Sequence, residues 1–181
     1  MCCDDRTQTA VFGMSEGGQR RSNRSLRPAG RRSVARLFAV QALYEIEFGG
    51  TAAEAVIADF RANRQNEEIE GVQMREADAD WFAEIVRGVA KRQPELDELI
   101  RAAMPRADAL ERMEAILRYA LRCAAYELVA RIDVPAATII DEYLGIVRAF
   151  FSSREIKFAN GVIDAVARRQ RPGEFPSPSN G

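Results

Sequence analysis

The stretch RRSNRSLRPAGRRSVARLFAVQALYEIEF, residues 20–48, joins a run of positive charge to an apolar helical pattern. Its first part, residues 20–36, holds seven arginines and no acidic residue. From Val34 onward, apolar residues recur at helical spacing and cover most of the circumference, which is typical of a helix packed on several sides. The sequence therefore predicts a basic arm that leads into a buried helix over about residues 30–48, ended by Gly49 and Gly50.

The rest of the chain carries helical periodicity in segments separated by glycine, proline and polar residues. These segments predict an all-α fold of about six or seven helices. Pro94 predicts a kink in the third helix. The acidic segment RQNEEIEGVQMREAD, residues 64–78, is predicted as a loop. We expect residues 1–30 to be a disordered basic extension and residues 170–181 to be a disordered tail.

Charge is unevenly distributed along the chain, although the net charge is only −1. Residues 1–36 carry eight arginines against three acidic residues, whereas residues 37–84 carry three arginines against eleven acidic residues. We therefore expect a basic end suited to phosphates and an acidic patch suited to a basic protein.

The residue inventory predicts no enzyme and no metal or cofactor site, although it leaves catalysis by carboxylates or by Lys91 or Lys157 open. The chain has no histidine, which removes the commonest general base, the usual catalytic triad and most zinc sites. Its three cysteines have neither a disulfide framework nor a metal-ligand spacing. The carboxylates at Glu67–Glu70 and Asp78–Asp80 fit a solvated loop better than an acid/base site. With no secretory signal and no long apolar run, we expect a cytoplasmic protein without a membrane partner.

Arginines of the basic arm present planar forks of donors that pair with phosphate oxygens. Arg32 and Arg36 lie four residues apart on the predicted helix and are expected to project together. The arm is therefore interpreted as an RNA-binding segment, and a solvated tail is the alternative.

Phe158 stands beside Lys157 and Asn160 at the start of the last predicted helix. An aromatic ring can stack a base, lysine can neutralise a phosphate and asparagine can read a base edge, so these residues are a candidate single-strand platform. Spacing alone favours the alternative, an ordinary core aromatic, and core packing is also the simpler interpretation of Phe150. For Tyr44 and the acidic residues after it, protein docking competes with a solvated face.

Three stretches resemble the NusB family of bacterial transcription antitermination factors. RRSVARLFAVQALYEIE, residues 31–47, resembles the family's arginine-rich start and QALY segment. AILRYALRCAAYELVARIDVPAATIIDEYLGIVRAFF, residues 115–151, resembles its central region, and KFANGVIDAVAR, residues 157–168, resembles its last helix. The order and spacing of the three stretches extend the resemblance over residues 31–169.

The resemblance implies an all-helical RNA-binding domain over residues 31–169, built as two packed helical subdomains and without catalytic activity. It also implies that the domain binds single-stranded boxA RNA in nascent ribosomal RNA leaders, as a heterodimer with the small-subunit ribosomal protein NusE. In that family the complex joins RNA polymerase and suppresses premature termination.

The resemblance also implies roles for individual residues. It places Tyr44 and Phe48 where the first helix faces NusE. One departure from the family is Arg154, which stands where an acidic residue is common and is expected to strengthen backbone contact while loosening base selection. The residues expected to contact RNA are Arg31, Arg32, Arg36, Phe150, Arg154, Lys157, Phe158 and Asn160.

Two other hypotheses belong to different classes. One is a helical protein–protein adaptor without sequence-specific RNA binding, whose arm only aids solubility. The other is a NusB-like module placed before an RNA cytosine methyltransferase domain, and the Pro/Ser-rich end at Gly181 leads us to expect that no such domain follows.

Overall fold

Six α-helices form the fold in the part of the chain that the computed structural model describes, residues 30–62, 68–69, 72–73 and 77–176. Single turns of 3-10 helix follow the third and the sixth of them, at Ala107–Ala109 and Pro172–Glu174. The prediction of an all-α fold with about six or seven helices is confirmed. The predicted extension lies outside the described residues, except for Gly30. The helices are α1 Arg31–Gly49, α2 Ala53–Ala62, α3 Ala79–Ala103, α4 Ala115–Ala130, α5 Ala136–Phe150 and α6 Ser153–Gln170.

A short hairpin lies within the segment that was predicted to be a loop. Strand β1, Glu68–Ile69, pairs antiparallel with β2, Val72–Gln73, so that Ile69 faces Val72 in the register. The loop prediction is wrong at these four residues. Strands of two residues are too short to show the alternation by which sequence analysis recognises a strand.

Helix α1 lies at the centre and packs against α2, α3, α4 and α5. Its buried side chains occupy nearly every direction around the axis between Val34 and Leu43, as predicted. The helix ends where Gly50 adopts a left-handed conformation and donates its backbone N–H to the carbonyl of Ile46. Glycine adopts that conformation without steric cost, so the helix has a defined end.

Helix α3 begins at an aspartate cap and bends in the middle. The carboxylate of Asp78 accepts a hydrogen bond from the backbone N–H of Trp81 at 3.1 Å. The predicted kink is present, because Arg92, two residues before Pro94, has a non-helical backbone conformation. Gly88 permits a close helix contact, since a Cβ added there would lie only 2.0 Å from the ring of Tyr126 on α4.

Contacts between helices show how α1, α4, α5 and α6 run. Arg36 near the start of α1 pairs with Glu127 late in α4, and Glu47 near the end of α1 pairs with Arg118 early in α4. Helices α1 and α4 are therefore antiparallel. Arg171, which follows α6, binds carbonyls at the end of α4, so α4 and α6 are parallel.

This arrangement gives the bundle two ends. We call the end that holds the start of α1 and the end of α4 the arginine end. We call the opposite end, which holds the turn between α5 and α6, the corner end. Sixteen residues of α1 separate Arg32 from Phe48, so the two ends are about 24 Å apart at 1.5 Å per helical residue.

A buried ion pair joins α1 to α4 and α5. The side chain of Arg36 donates from Nε and Nη2 to the two carboxylate oxygens of Glu127, at 2.8 and 2.7 Å. The hydroxyl of Tyr143 donates to the same carboxylate at 2.7 Å. Burial raises the pKa of Tyr143 well above its ordinary value, which keeps this hydroxyl protonated as the donor.

A disordered tail was predicted over residues 170–181, and the structure corrects this prediction for residues 170–176. Gln170 is the last residue of α6, and a turn of 3-10 helix follows at Pro172–Glu174. Arg171 is buried and donates to four main-chain carbonyls at and after the end of α4: those of Glu127, Leu128, Arg131 and Val134. Glu174 accepts from the backbone N–H of Ala136 at 2.7 Å, at the start of α5. Residues 171–174 therefore satisfy backbone groups that helix ends leave open. Residues 177–181 lie outside the described residues.

Substitution of Arg36 by alanine is expected to lower the free energy of unfolding by about 3–5 kcal/mol, because it leaves the carboxylate of Glu127 buried without its charged partner. Urea denaturation followed by circular dichroism measures the change. Arg31→Ala is the matched control, since Arg31 is exposed five residues earlier on α1, and we expect it to change stability by less than about 0.5 kcal/mol. Equal losses for the two variants would show that the buried pair is not a main source of stability.

Candidate nucleic-acid interface

The start of α1 presents two exposed arginines at the arginine end. Arg31 and Arg32 form the first turn of α1, which contains no acidic residue. The backbone N–H groups of a helix start favour anions, and here the arginine side chains add to that preference. Among the described residues, neither arginine forms an ion pair with a carboxylate. This end can therefore receive phosphate groups.

Arg36 does not belong to that surface, although it was predicted to project beside Arg32. Both guanidinium groups face the indole of Trp81, with Cζ 4.0 Å from the ring centroid for Arg32 and 5.4 Å for Arg36. The two residues do share a direction, but one turn further along α1 this direction points into the core. Arg36 is only 3% exposed and its donors bind Glu127. It is a structural residue in this fold.

The corner end carries a groove that is lined by aromatic, aliphatic and charged side chains. The groove has a volume of about 400 Å³ and lies where the connection before α4 meets the turn between α5 and α6. Phe158 is half-buried in its wall, and Arg154 and Arg112 add positive charge. Its lining residues are Ala109, Arg112, Met113, Glu114, Leu117, Phe151, Arg154, Glu155 and Phe158.

Positive charge around the groove is largely free of neutralising partners. Arg148, Arg154 and Lys157 are exposed near the turn between α5 and α6, and none of them forms an ion pair within the described part of the chain. Arg112, by contrast, pairs with Asp108. The hydroxyl of Ser152 donates to Glu155 and lowers the pKa of that carboxyl. The corner thus combines an aromatic face with cations that are available to an anionic partner.

The other predicted residues at the corner end take different positions. Phe150 is half-buried against the core, and Asn160 is exposed on α6, two residues after Phe158. Tyr44 and Phe48 form an aromatic pair with ring centroids 4.6 Å apart, and Phe48 is 64% exposed. Tyr44 is half-buried, so the exposed ring of Phe48 is the part of this pair that is suited to docking a protein.

The predicted residues therefore divide between the two ends of the bundle. Arg31 and Arg32 lie at the arginine end, whereas Phe158 and its neighbours lie at the corner end with Tyr44 and Phe48. A single nucleic-acid strand that contacts both groups must extend over about 20 Å, the rise along the helix from Leu117 in α4 to Arg131 just after its end.

Several residues of this surface were missed by sequence reasoning. Arg112 and Met113 reach the groove from a separate connection, so no spacing within one helix reveals them. Trp81 and Arg131 lie at the arginine end, where the guanidinium of Arg131 is 3.7 Å from the indole centroid. Only Arg148 had a sequence signal, since it stands two residues before Phe150.

Two further observations concern metal binding and membrane insertion. No group of three or more metal-ligating side chains occurs among the described residues. Within the same part of the chain, no helix combines the length and the apolar character needed to cross a membrane. Fold and surface together define a small all-helical protein that presents cationic and aromatic groups to a partner.

Comparison with known proteins identifies the family. Residues 33–168 match the model of the NusB family. A transcription antitermination protein NusB from Sinorhizobium fredii is 43% identical over 150 residues, which cover 83% of this chain and 94% of the relative. One from Nitrobacter hamburgensis is 44% identical over 147 residues, which cover 81% and 92%. The chain belongs to the NusB family.

Solved structures share the fold. The T. maritima NusB structure superimposes with a TM-score of 0.64 at 25% identity, covering 80% of this chain and 96% of that one. A chain from a crystal structure of the antitermination factors NusB and NusE with double-stranded RNA gives a TM-score of 0.62 at 18% identity, covering 77% and 97%. The second similarity concerns the fold alone, given its low identity.

Proposed function

We propose that this chain is a non-enzymatic transcription antitermination factor of the cytoplasm. In this proposal it binds a single-stranded boxA-like element of nascent ribosomal RNA together with NusE, and it acts within the antitermination complex of RNA polymerase. Family membership supports the role, since the relatives are named transcription antitermination proteins. A related fold in a complex of NusB, NusE and RNA supports the choice of partners.

The observation that carries the proposal is the groove at the corner end. The half-buried ring of Phe158 offers a face for a base, and Lys157 and Arg154 offer unpaired cations for the backbone phosphates. Stacking and phosphate neutralisation together are the usual means by which proteins hold single-stranded RNA. The exposed ring of Phe48 at the same end, paired with the half-buried ring of Tyr44, supports a protein-docking surface next to the RNA.

Fluorescence anisotropy tests the proposal with three RNAs: a boxA-like single strand, a scrambled single strand and a duplex. Each is titrated with the full chain, with and without NusE, over a series of salt concentrations. We expect selective binding to the boxA-like strand that tightens with NusE. Equal, steeply salt-dependent binding to all three RNAs would reduce the surface to a generic polyanion site. A complex with NusE but no RNA binding would instead favour the protein adaptor.

Substitution of Phe158 by alanine is expected to weaken binding of the boxA-like strand by about 1–3 kcal/mol, because it removes a stacking face. The melting temperature, measured in parallel by circular dichroism, should fall only modestly, since Phe158 is half-buried. A large loss of thermal stability with unchanged affinity of the folded protein would assign Phe158 to the core.

The two lysines of the chain form a matched pair for testing the phosphate contact. Lys157 lies at the corner end and Lys91 lies on α3, and both are exposed. We expect Lys157→Ala to reduce the slope of log affinity against log salt by about one and Lys91→Ala to leave it unchanged. Equal slopes for the two variants would contradict a phosphate contact at Lys157.

A further inference from the structure

The indole of Trp81 is the meeting point of three arginines at the arginine end. The guanidinium Cζ atoms of Arg131, Arg32 and Arg36 lie 3.7, 4.0 and 5.4 Å from its ring centroid. Trp81 is buried in the first turn of α3 and is the single tryptophan of the chain. Cations are attracted to the face of an indole more strongly than to any other side-chain ring.

The three arginines differ in how their charge is neutralised. Arg131 donates to both carboxylate oxygens of Asp133, at 2.9 and 2.8 Å, and this contact lowers the pKa of Asp133 to about 2. Arg36 binds Glu127 in the core. Arg32 is exposed, makes no ion pair within the described residues, and contributes only the smallest part of the lowered pKa of Asp133. Arg32 is therefore the one that can accept a new anion.

Backbone contacts fix the ring and the helix start relative to each other. The N–H of Asp78 donates to the carbonyl of Arg31 at 2.9 Å, and the side chain of Asp78 accepts from the N–H of Trp81 at 3.1 Å. The start of α1 is thus tied to the start of α3. Asp78 therefore fixes both the backbone next to Arg32 and the start of α3, which carries the indole that the Arg32 guanidinium contacts.

We propose that Trp81 is a positioning residue that holds Arg32 ready to bind an RNA phosphate. Stacking fixes the plane of the guanidinium and leaves the N–H groups at its edge free, which is the geometry needed for a bidentate contact with phosphate oxygens. The side chain then loses less conformational freedom when the phosphate arrives. This inference rests on the proposed function and assigns to Trp81 a role in affinity that its burial alone does not predict.

A double-mutant cycle on RNA binding tests the inference, with Trp81→Phe, Arg32→Ala and the double variant. The readout is affinity for a boxA-like single strand by anisotropy at fixed salt. We expect Trp81→Phe to weaken binding about two- to fivefold when Arg32 is present, because phenylalanine keeps a buried ring but attracts a cation less. In the Arg32→Ala background the same substitution should have no further effect. An equal loss in both backgrounds would overturn the inference.

The matched control is Phe82→Leu. Phe82 is a fully buried neighbour on α3 that stacks on Phe60 and not on an arginine. Melting temperatures define conditions under which all variants are folded. We expect Phe82→Leu to lower the melting temperature without changing RNA affinity. If it weakens binding as much as Trp81→Phe, the effect of Trp81 comes from general loosening of the core, and the inference fails.

The fluorescence emission of Trp81 provides a second readout. A residue with a purely structural role would not change its emission when RNA binds. RNA without NusE should change the emission of the wild-type chain, and this change should be lost in Arg32→Ala. An unchanged emission at saturating RNA would overturn the inference.

If Arg32→Ala binds RNA like wild type while Phe158→Ala does not, the inference fails and the proposed function stands. If neither variant nor wild type binds RNA, the proposed function fails as well.

Discussion

Arg36 reaches from α1 into the interior, where its two donors meet both carboxylate oxygens of Glu127 on α4. Tyr143 on α5 donates to the same carboxylate, so three helices meet at one buried charge pair. Removing two charges from water is costly, and the pair is stable only because its hydrogen bonds are complete. That requirement fixes the register of α1 against α4 and α5, and the rest of the bundle depends on this register.

The position of both surfaces follows from the antiparallel arrangement of α1 and α4. Arg32 lies one turn before Arg36 and emerges at the arginine end, while Phe48 emerges three turns after it at the corner end. Arg171 satisfies the carbonyls at the end of α4 and so orders the turn that carries Arg131 under the indole of Trp81. The buried Arg171 therefore helps to position Arg131 against one side of the Trp81 ring, which the exposed Arg32 also contacts. Arginine suits both tasks, because its planar fork pairs with carboxylates inside the fold and with phosphates outside it.

Helical spacing was sufficient to predict the buried helix α1, its glycine end, the kink near Pro94 and the all-α fold, because these features depend on local pattern. Whether an individual arginine is buried or exposed, by contrast, depends on partners that lie far away in the sequence. The partner of Arg36 is 91 residues away, and the backbone partners of Arg171 are 37 to 44 residues away. Spacing could therefore show that Arg32 and Arg36 share a direction, but not that this direction enters the core at Arg36. The groove was missed for the same reason, since its lining comes from separate segments.

Hydrogen–deuterium exchange of the full chain, with and without a boxA-like single strand, tests whether RNA contacts the corner end and the arginine end together, as the proposed function and the proposed role of Arg32 jointly require. The account predicts added protection in two separate segments, the first turns of α1 and the turn from α5 into the start of α6. It predicts no added protection in the middle of α3 around Lys91. Protection at one end only would contradict a continuous interface, and protection spread evenly over all six helices would indicate general stabilisation instead of a defined RNA surface.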